Sequence, residues 1–287
     1  MTDQRGLAFD SASDLYQQAR PEYPEQLYEA MIAAVGLGAD DRLLEIGCAS
    51  GKATLPLARR GFRIICIEPG PALAAVGRRN LAGFPEVEVV QSTFEDIDPS
   101  EHEPFDLVFA ATAWHWLDPA VRYWRAWELL RPGGHVAFWG ATHVFPEGGD
   151  RFFADLQQVY DEIGEGLPEG ATYPRPGELP DQREDIEASG LFEPVLVRHF
   201  DWEVTYDADG YIGLLDTFSG HIVMESCSGV ACTRRSGAGW MSEQTGCSAV
   251  AGAPSFTSRG DATSRTRHSP IDLRADEFGS TSESVRL

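Results

Sequence analysis

From Pro24 onward, Tyr28, Ile32 and Val35 recur on one side of a helical period, with Leu27 and Met31 beside them. That spacing predicts a helix, which Gly36 and Gly38 end. A short apolar run at 42–47, carrying the acid Glu45, predicts a first strand. A tight turn and a second helix follow. That helix should begin near Gly51, because Pro56 is tolerated only in a first turn, and should close at Gly61. Arg63-Ile64-Ile65-Cys66-Ile67-Glu68 is almost continuously apolar and β-branched, the pattern of a strand buried on both faces. A helix at 71–82 leads to strands at 87–91 and 105–110. Asp118-Pro119 opens another helix, Arg131-Pro132-Gly133-Gly134 ends it, and Val136-Ala137-Phe138-Trp139 is a fifth strand. Five strands, mostly separated by helical patterns and without a hairpin signal, predict an α/β fold with a doubly wound parallel sheet.

The second half is less regular. Phe152 to Ile163 reads as an amphipathic helix, and a Gly/Pro/Glu-rich stretch at 164–182 reads as a surface loop or lid. A short helix at 185–188, a sixth strand at 195–200 and a helix at 207–224 follow. Then the character changes. Residues 226–287 are dominated by Ser, Thr, Gly, Ala and Arg, with no periodic apolar pattern and seven arginines against six acids. Such a composition buries too little surface to offset chain ordering. The expected organisation is one domain at 1–225, with a core at 40–142 and lid elements at 1–24 and 143–193. A disordered or aberrant tail at 226–287 would follow it.

The charge narrows the partners. The 287 residues carry a formal net charge of −22, with a pI near 4.6. Phosphates would be repelled along any extended contact, which argues against nucleic acid and against an anionic membrane surface. No apolar stretch approaches membrane-spanning length, and the opening Met-Thr-Asp-Gln-Arg-Gly is not a basic-then-apolar leader. Five cysteines, an odd number without framework spacing, fit a reducing cytoplasm.

The candidate chemistry begins at the first turn. Glu45-Ile46-Gly47-Cys48-Ala49-Ser50-Gly51 sets two glycines four apart between strand and helix. Gly47 permits a turn forbidden to residues with a Cβ, and Gly51 lets a ligand or neighbouring strand approach closely. The stretch resembles motif I of the class I S-adenosylmethionine-dependent methyltransferases, acidic-x-Gly-x-Gly-x-Gly, with Ala49 in place of the middle glycine. That resemblance implies a Rossmann-like sheet and S-adenosylmethionine bound by Glu45, Gly47, Ala49 and Gly51. Glu68, 17 residues after Gly51, matches the acid that in the family accepts both ribose hydroxyls. Thr93 stands where the family carries an acid, so adenine contact falls to Phe94 and Glu95, unless Glu95 and Asp96 are simply a solvated loop. Ala111 would close the list of cofactor residues.

Ala111-Thr112-Ala113-Trp114-His115-Trp116-Leu117-Asp118-Pro119 is similar to a segment of small-molecule methyltransferases of type 11, near the trans-aconitate group. The segment Phe9-Asp10…Tyr16…Ala19-Arg20-Pro21-Glu22-Tyr23-Pro24 resembles the beginning of the same group, and the similarity spans about 8–224. It implies methyl transfer to a small molecule. His115 would serve as a base, or as a hydrogen-bonded structural histidine. Tyr16, Trp114 and Trp116 would stand near the sulfonium, or pack as core. Arg20 would hold a carboxylate, or a surface acid. Two departures stand out. Members of this fold finish with a seventh, antiparallel strand between strands five and six, and no convincing strand follows Glu225, since Ala249-Val250-Ala251 is short and small in side chain. Cys227, Cys232, Cys247 and His221 lack paired metal-ligand spacing, so no metal is expected. Two alternatives stay open: a nicotinamide-dependent oxidoreductase, whose Gly-x-Gly-x-x-Gly is absent, and a cofactor-binding remnant without turnover.

Overall fold

The computed structural model of the chain describes residues 13–149, 151–162, 167, 171–172, 174–218 and 241–254. Two helices lead in: α1 (Ser13–Ala19) and α2 (Glu25–Val35), the latter closed by Gly36 in a left-handed conformation. Then β1 (Arg42–Ile46), α3 (Thr54–Ala58), β2 (Arg63–Ile67), α4 (Pro71–Leu81) and β3 (Val87–Val90) alternate. β4 (Phe105–Ala111), α5 (Arg122–Leu129) and β5 (Leu130–His143) follow, then α6 (Arg151–Glu162), α7 (Arg183–Ser189), β6 (Phe192–Tyr206), α8 (Ala208–Leu215) and β7 (Met241–Pro254). The strands form one sheet in the order β3-β2-β1-β4-β5-β7-β6. The first five are parallel, as the alternating pattern predicts.

The apolar runs of β1, β2 and β4 are continuous because both faces are covered. Leu44, Ile46, Val108, Ala110 and Phe138 pack on one side, with α5, α7 and the Phe94–Ile97 segment. Leu43, Ile64, Cys66, Leu107, Phe109 and Trp139 pack on the other, against Leu27, Tyr28 and Met31 of α2 and Leu57 of α3. A third cluster joins Leu156 of α6 to Tyr211, Leu214 and Leu215 of α8.

Three expectations change. The helix after the glycine turn is shorter than predicted, starting at Thr54 after a run of turns at 51–53. Arg131-Pro132-Gly133-Gly134 is not the turn that ends a helix but an irregularity within β5. Gly133 takes a positive φ of 75°, and a Cβ on Gly134 would stand 3.0 Å from the Phe105 carbonyl. The seventh strand, expected to be missing, is present. β7 lies antiparallel between β5 and β6, pairing Val250 with Phe138 on one side and with Val197 on the other. Backbone N–H and C=O groups make that pairing, and they are the same whatever the side chains, so a Ser/Ala/Gly-rich segment fills the gap without an apolar pattern to announce it. The rest of the expected tail, at 226–240 and 255–287, lies outside the described residues, as do His221, Cys227 and Cys232.

Candidate functional site

The glycine turn is built around one carboxylate. β1 ends at Ile46 and the chain reverses, Gly47 and Cys48 both donating their N–H to the Ile67 carbonyl at the end of β2. Glu68 follows directly. It is 6% exposed, and its two oxygens accept from the N–H of Ala49 and of Gly70, each at 2.9 Å. The acid that ends the second strand is thereby tied to the middle of the loop that follows the first. Ala49 sits in the left-handed region at φ 47°, as do Gly47 at 67° and Gly51 at 86°. The family's middle glycine is therefore a matter of backbone conformation more than of space, and Ala49 holds this shape at a cost of about 1 kcal/mol.

The glycines meet protein, not open space. A Cβ on Gly51 would stand 2.9 Å from the Leu81 side chain of α4, a helix where the sequence suggested a ligand or a strand. Gly77 of α4 is absent from the sequence-based candidates, yet a Cβ there would stand 2.9 Å from the Ala49 carbonyl. A Cβ on Gly47 would lie 2.8 Å from that of Ala113. This last approach matters most, because it seats the turn after β4 directly against the cofactor loop.

Beneath the loop Glu45 is 1% exposed. Its Oε2 accepts from the Thr54 hydroxyl at 2.5 Å, with the Cys66 thiol at 3.9 Å, while its Oε1 has no hydrogen-bond partner. Burial pushes its pKa up to about 8, so the carboxyl is protonated at neutral pH. A hydrogen bond with Cys66, then burial, push the neighbouring thiol of Cys48 up, and burial raises that of Cys66, so both are poor nucleophiles.

Past β4, Thr112 takes φ 55°, a strained value for a β-branched residue. Its N–H donates to the Trp139 carbonyl at 2.7 Å and its hydroxyl shares a 2.8 Å hydrogen bond with Tyr23, which stands edge-on to Trp139. Thr112 opens a cavity of about 260 Å³ at the carboxyl ends of β4 and β5. Trp114, His115, Phe138 and Trp139 line it, with Thr142 from β5 and Leu179 to Gln182 from the segment before α7. Trp114 is 2% exposed and stacked on Phe138 at 4.6 Å, so packing is its role in this wall. Arg122 braces the wall from behind, its guanidinium donating to the Trp114 carbonyl and pairing with Asp185 of α7. His115 stands at the rim beside Trp116, the two rings 4.6 Å apart. Desolvation, then the charge of Arg122, lower its pKa, so the imidazole is neutral at pH 7.

The remaining expected residues fall elsewhere. Phe94 is buried among core residues such as Ile97, and Glu95 is exposed, beside a turn closed by a Thr93–Asp96 hydrogen bond. Ala111 ends β4, half-buried. Arg20 donates to the hydroxyl and carbonyl of Thr217, both at 2.8 Å, and lies over the Phe218 ring, clamping the end of α8. Tyr16 is in α1, with its side chain outside the described residues. Phe138 and Trp139 were read from sequence only as strand. Tyr23 and the 179–182 segment had a pointer in the expected lid elements, and Thr112 in its place beside Trp114 and His115.

A strand, a glycine loop and a helix, with a cavity beside the adjoining turn, are the parts that a methyltransferase of this fold uses. The sequence model of the family described as "Methyltransferase domain" matches residues 44–138. An uncharacterised methyltransferase of Mycobacterium tuberculosis is 30% identical over 188 residues, 66% of this chain and 72% of its own. A Saccharomyces cerevisiae protein named as a probable S-adenosylmethionine-dependent methyltransferase is 28% identical over 159 residues, 54% of this chain and 52% of its own. In fold, the chain is similar to a candidate type II methyltransferase from Anaeromyxobacter dehalogenans, with a TM-score of 0.54 at 20% identity, covering 82% of this chain and 97% of that one. The chain belongs to the class I S-adenosylmethionine-dependent methyltransferases, and its reaction is methyl transfer from that cofactor. The oxidoreductase alternative falls. The residues present fit the cofactor on one observation: beneath the glycine loop Glu45 holds a buried polar atom, Oε1, without a hydrogen-bond partner.

Proposed function

We propose that the acceptor is a small molecule bound in the Thr112–Gln182 cavity, and that Glu68 and the loop Gly47–Gly51 hold the cofactor, with Glu45 beneath them. The approach of Ala113 to Gly47 carries this reading, because it makes one turn the wall of both spaces. When bound, S-adenosylmethionine supplies an electrophilic methyl group on a sulfonium whose departure leaves a neutral thioether. The protein's work is then placement and exclusion of water. Trp114 and Phe138 make an apolar wall for the acceptor. His115, neutral and at the rim, takes the proton that a hydroxyl or amine acceptor sheds. The strongly acidic chain supports a partner other than nucleic acid, and its unpatterned cysteines support a cytoplasmic setting. Among the described residues, no helix is long and apolar enough to cross a membrane.

Calorimetric titration of S-adenosylhomocysteine tests the cofactor half. Incubation with radiolabelled cofactor and a fractionated cell extract tests the other half. Label should enter the low-molecular-weight fraction. Label confined to protein or nucleic acid would overturn the small-molecule reading.

A further inference from the structure

Resting on the small-molecule reading above, we infer that the acceptor is an uncharged or cationic molecule with a flat apolar body, and not a carboxylate or phosphate ester. The cavity is too small for a second large cofactor, and Trp114 and Phe138, each 2% exposed and stacked on one another, stand in its wall. Among the described residues that line it, the polar groups are the hydroxyls of Thr112 and Thr142, the amide of Gln182, the imidazole of His115 and one carboxylate, Asp181. Among the described residues that line it, none is lysine or arginine.

The nearest cations are already committed. Arg122 is 8% exposed behind Trp114, its guanidinium 5.7 Å from that ring and engaged by the Trp114 carbonyl and Asp185. Arg183 lies 3.9 Å from Asp181, which also accepts the Arg183 N–H at 3.0 Å. An anion entering this cavity would lose part of its water shell, gain no cationic partner among the described lining residues, and meet Asp181. A neutral hydroxyl or an ammonium meets neither penalty. Thr112 supplies the contact point for the polar end, its backbone held at a strained angle and its hydroxyl fixed by the bond to Tyr23.

Three probes of one shape test the inference: benzylamine, benzyl alcohol and benzoate, added to the full chain saturated with S-adenosylhomocysteine in physiological salt. Saturation-transfer NMR reads their binding. Benzylamine and benzyl alcohol should bind, and benzoate at least about tenfold more weakly. A Cβ on Gly140 would meet open space, and Gly140 lines the cavity, so Gly140→Leu should fold and abolish both signals. Asp181→Asn should narrow the gap between benzylamine and benzoate. Benzoate binding as well as the others overturns the inference. So does binding that survives Gly140→Leu, or no probe binding while S-adenosylhomocysteine does. Failure of S-adenosylhomocysteine to bind would instead strike the cofactor reading on which the inference rests.

Discussion

The two ends of the crevice are built in opposite ways. The proposed cofactor end is made from backbone and carboxylates within a span of 33 residues, Glu45 to Gly77, and its geometry comes from positive φ angles and N–H groups. The proposed acceptor end is made from residues drawn from four separate stretches: Tyr23, Thr112 to His115, Phe138 to Thr142 and Leu179 to Gln182. Its geometry comes from stacked rings. One end is local and polar, the other distant and aromatic. The first can be shared across a family whose members differ at the second, since changing one ring remodels the cavity without touching the loop.

The largest effect expected from separating the two ends concerns Glu45. Its folded pKa, about 8, lies above the ordinary carboxyl value of 4.5. The folded state therefore holds a proton that the unfolded chain has released. That stabilisation is complete below pH 4.5, is lost progressively as pH rises, and is gone above about 8. Glu45→Gln stays neutral and still accepts from Thr54, so at pH 8 it should exceed the parent in stability by on the order of 3 kcal/mol. Urea unfolding at pH 5 and pH 8 measures this. A parent whose stability does not fall over that interval would contradict the assignment.

Next is Glu68. Glu68→Ala strips a partner from two loop N–H groups, and S-adenosylhomocysteine affinity should drop about a hundredfold by calorimetry. Benzylamine binding to the cavity should change far less if the ends are separable. Third is Gly77. Alanine ordinarily stabilises a helix interior by about 1 kcal/mol over glycine, but here its Cβ would press on the Ala49 carbonyl. Gly77→Ala should therefore destabilise, by roughly 1 kcal/mol, and weaken cofactor binding. The smallest effect is at Ala49. Relieving its left-handed strain with Ala49→Gly should raise stability by about 0.5 kcal/mol, net of the added freedom of the unfolded chain.

Legibility followed the same division. Gly47, Gly51 and Glu68 were readable because a turn, a helix start and a strand end are short-range features with fixed residue preferences. The parallel core was readable because strands buried on both faces carry unbroken apolar runs. Thr112 and Tyr23 were not readable as a pair, since 89 residues separate them and only folding brings their hydroxyls together. Asp181 lay hidden in a Gly/Pro-rich stretch, which marks a loop without saying what it covers. β7 was misread because its pairing is carried by peptide groups common to every sequence. Arg20's reach to Thr217 was not readable because a motif's arginine carries no sign of which end of the fold it will meet.

The strand that closes the sheet has a further consequence for how the protein is made. β7 is synthesised after every other strand it joins, yet it lies between two of them, holding Phe138 and Trp139 of the cavity wall in register from one side. A ribosome that has delivered the chain only as far as β6 has produced two long open edges facing a gap. Until residues 241–254 emerge, that gap is a docking place for any passing extended peptide, which makes the last stage of translation the hazardous one for this fold.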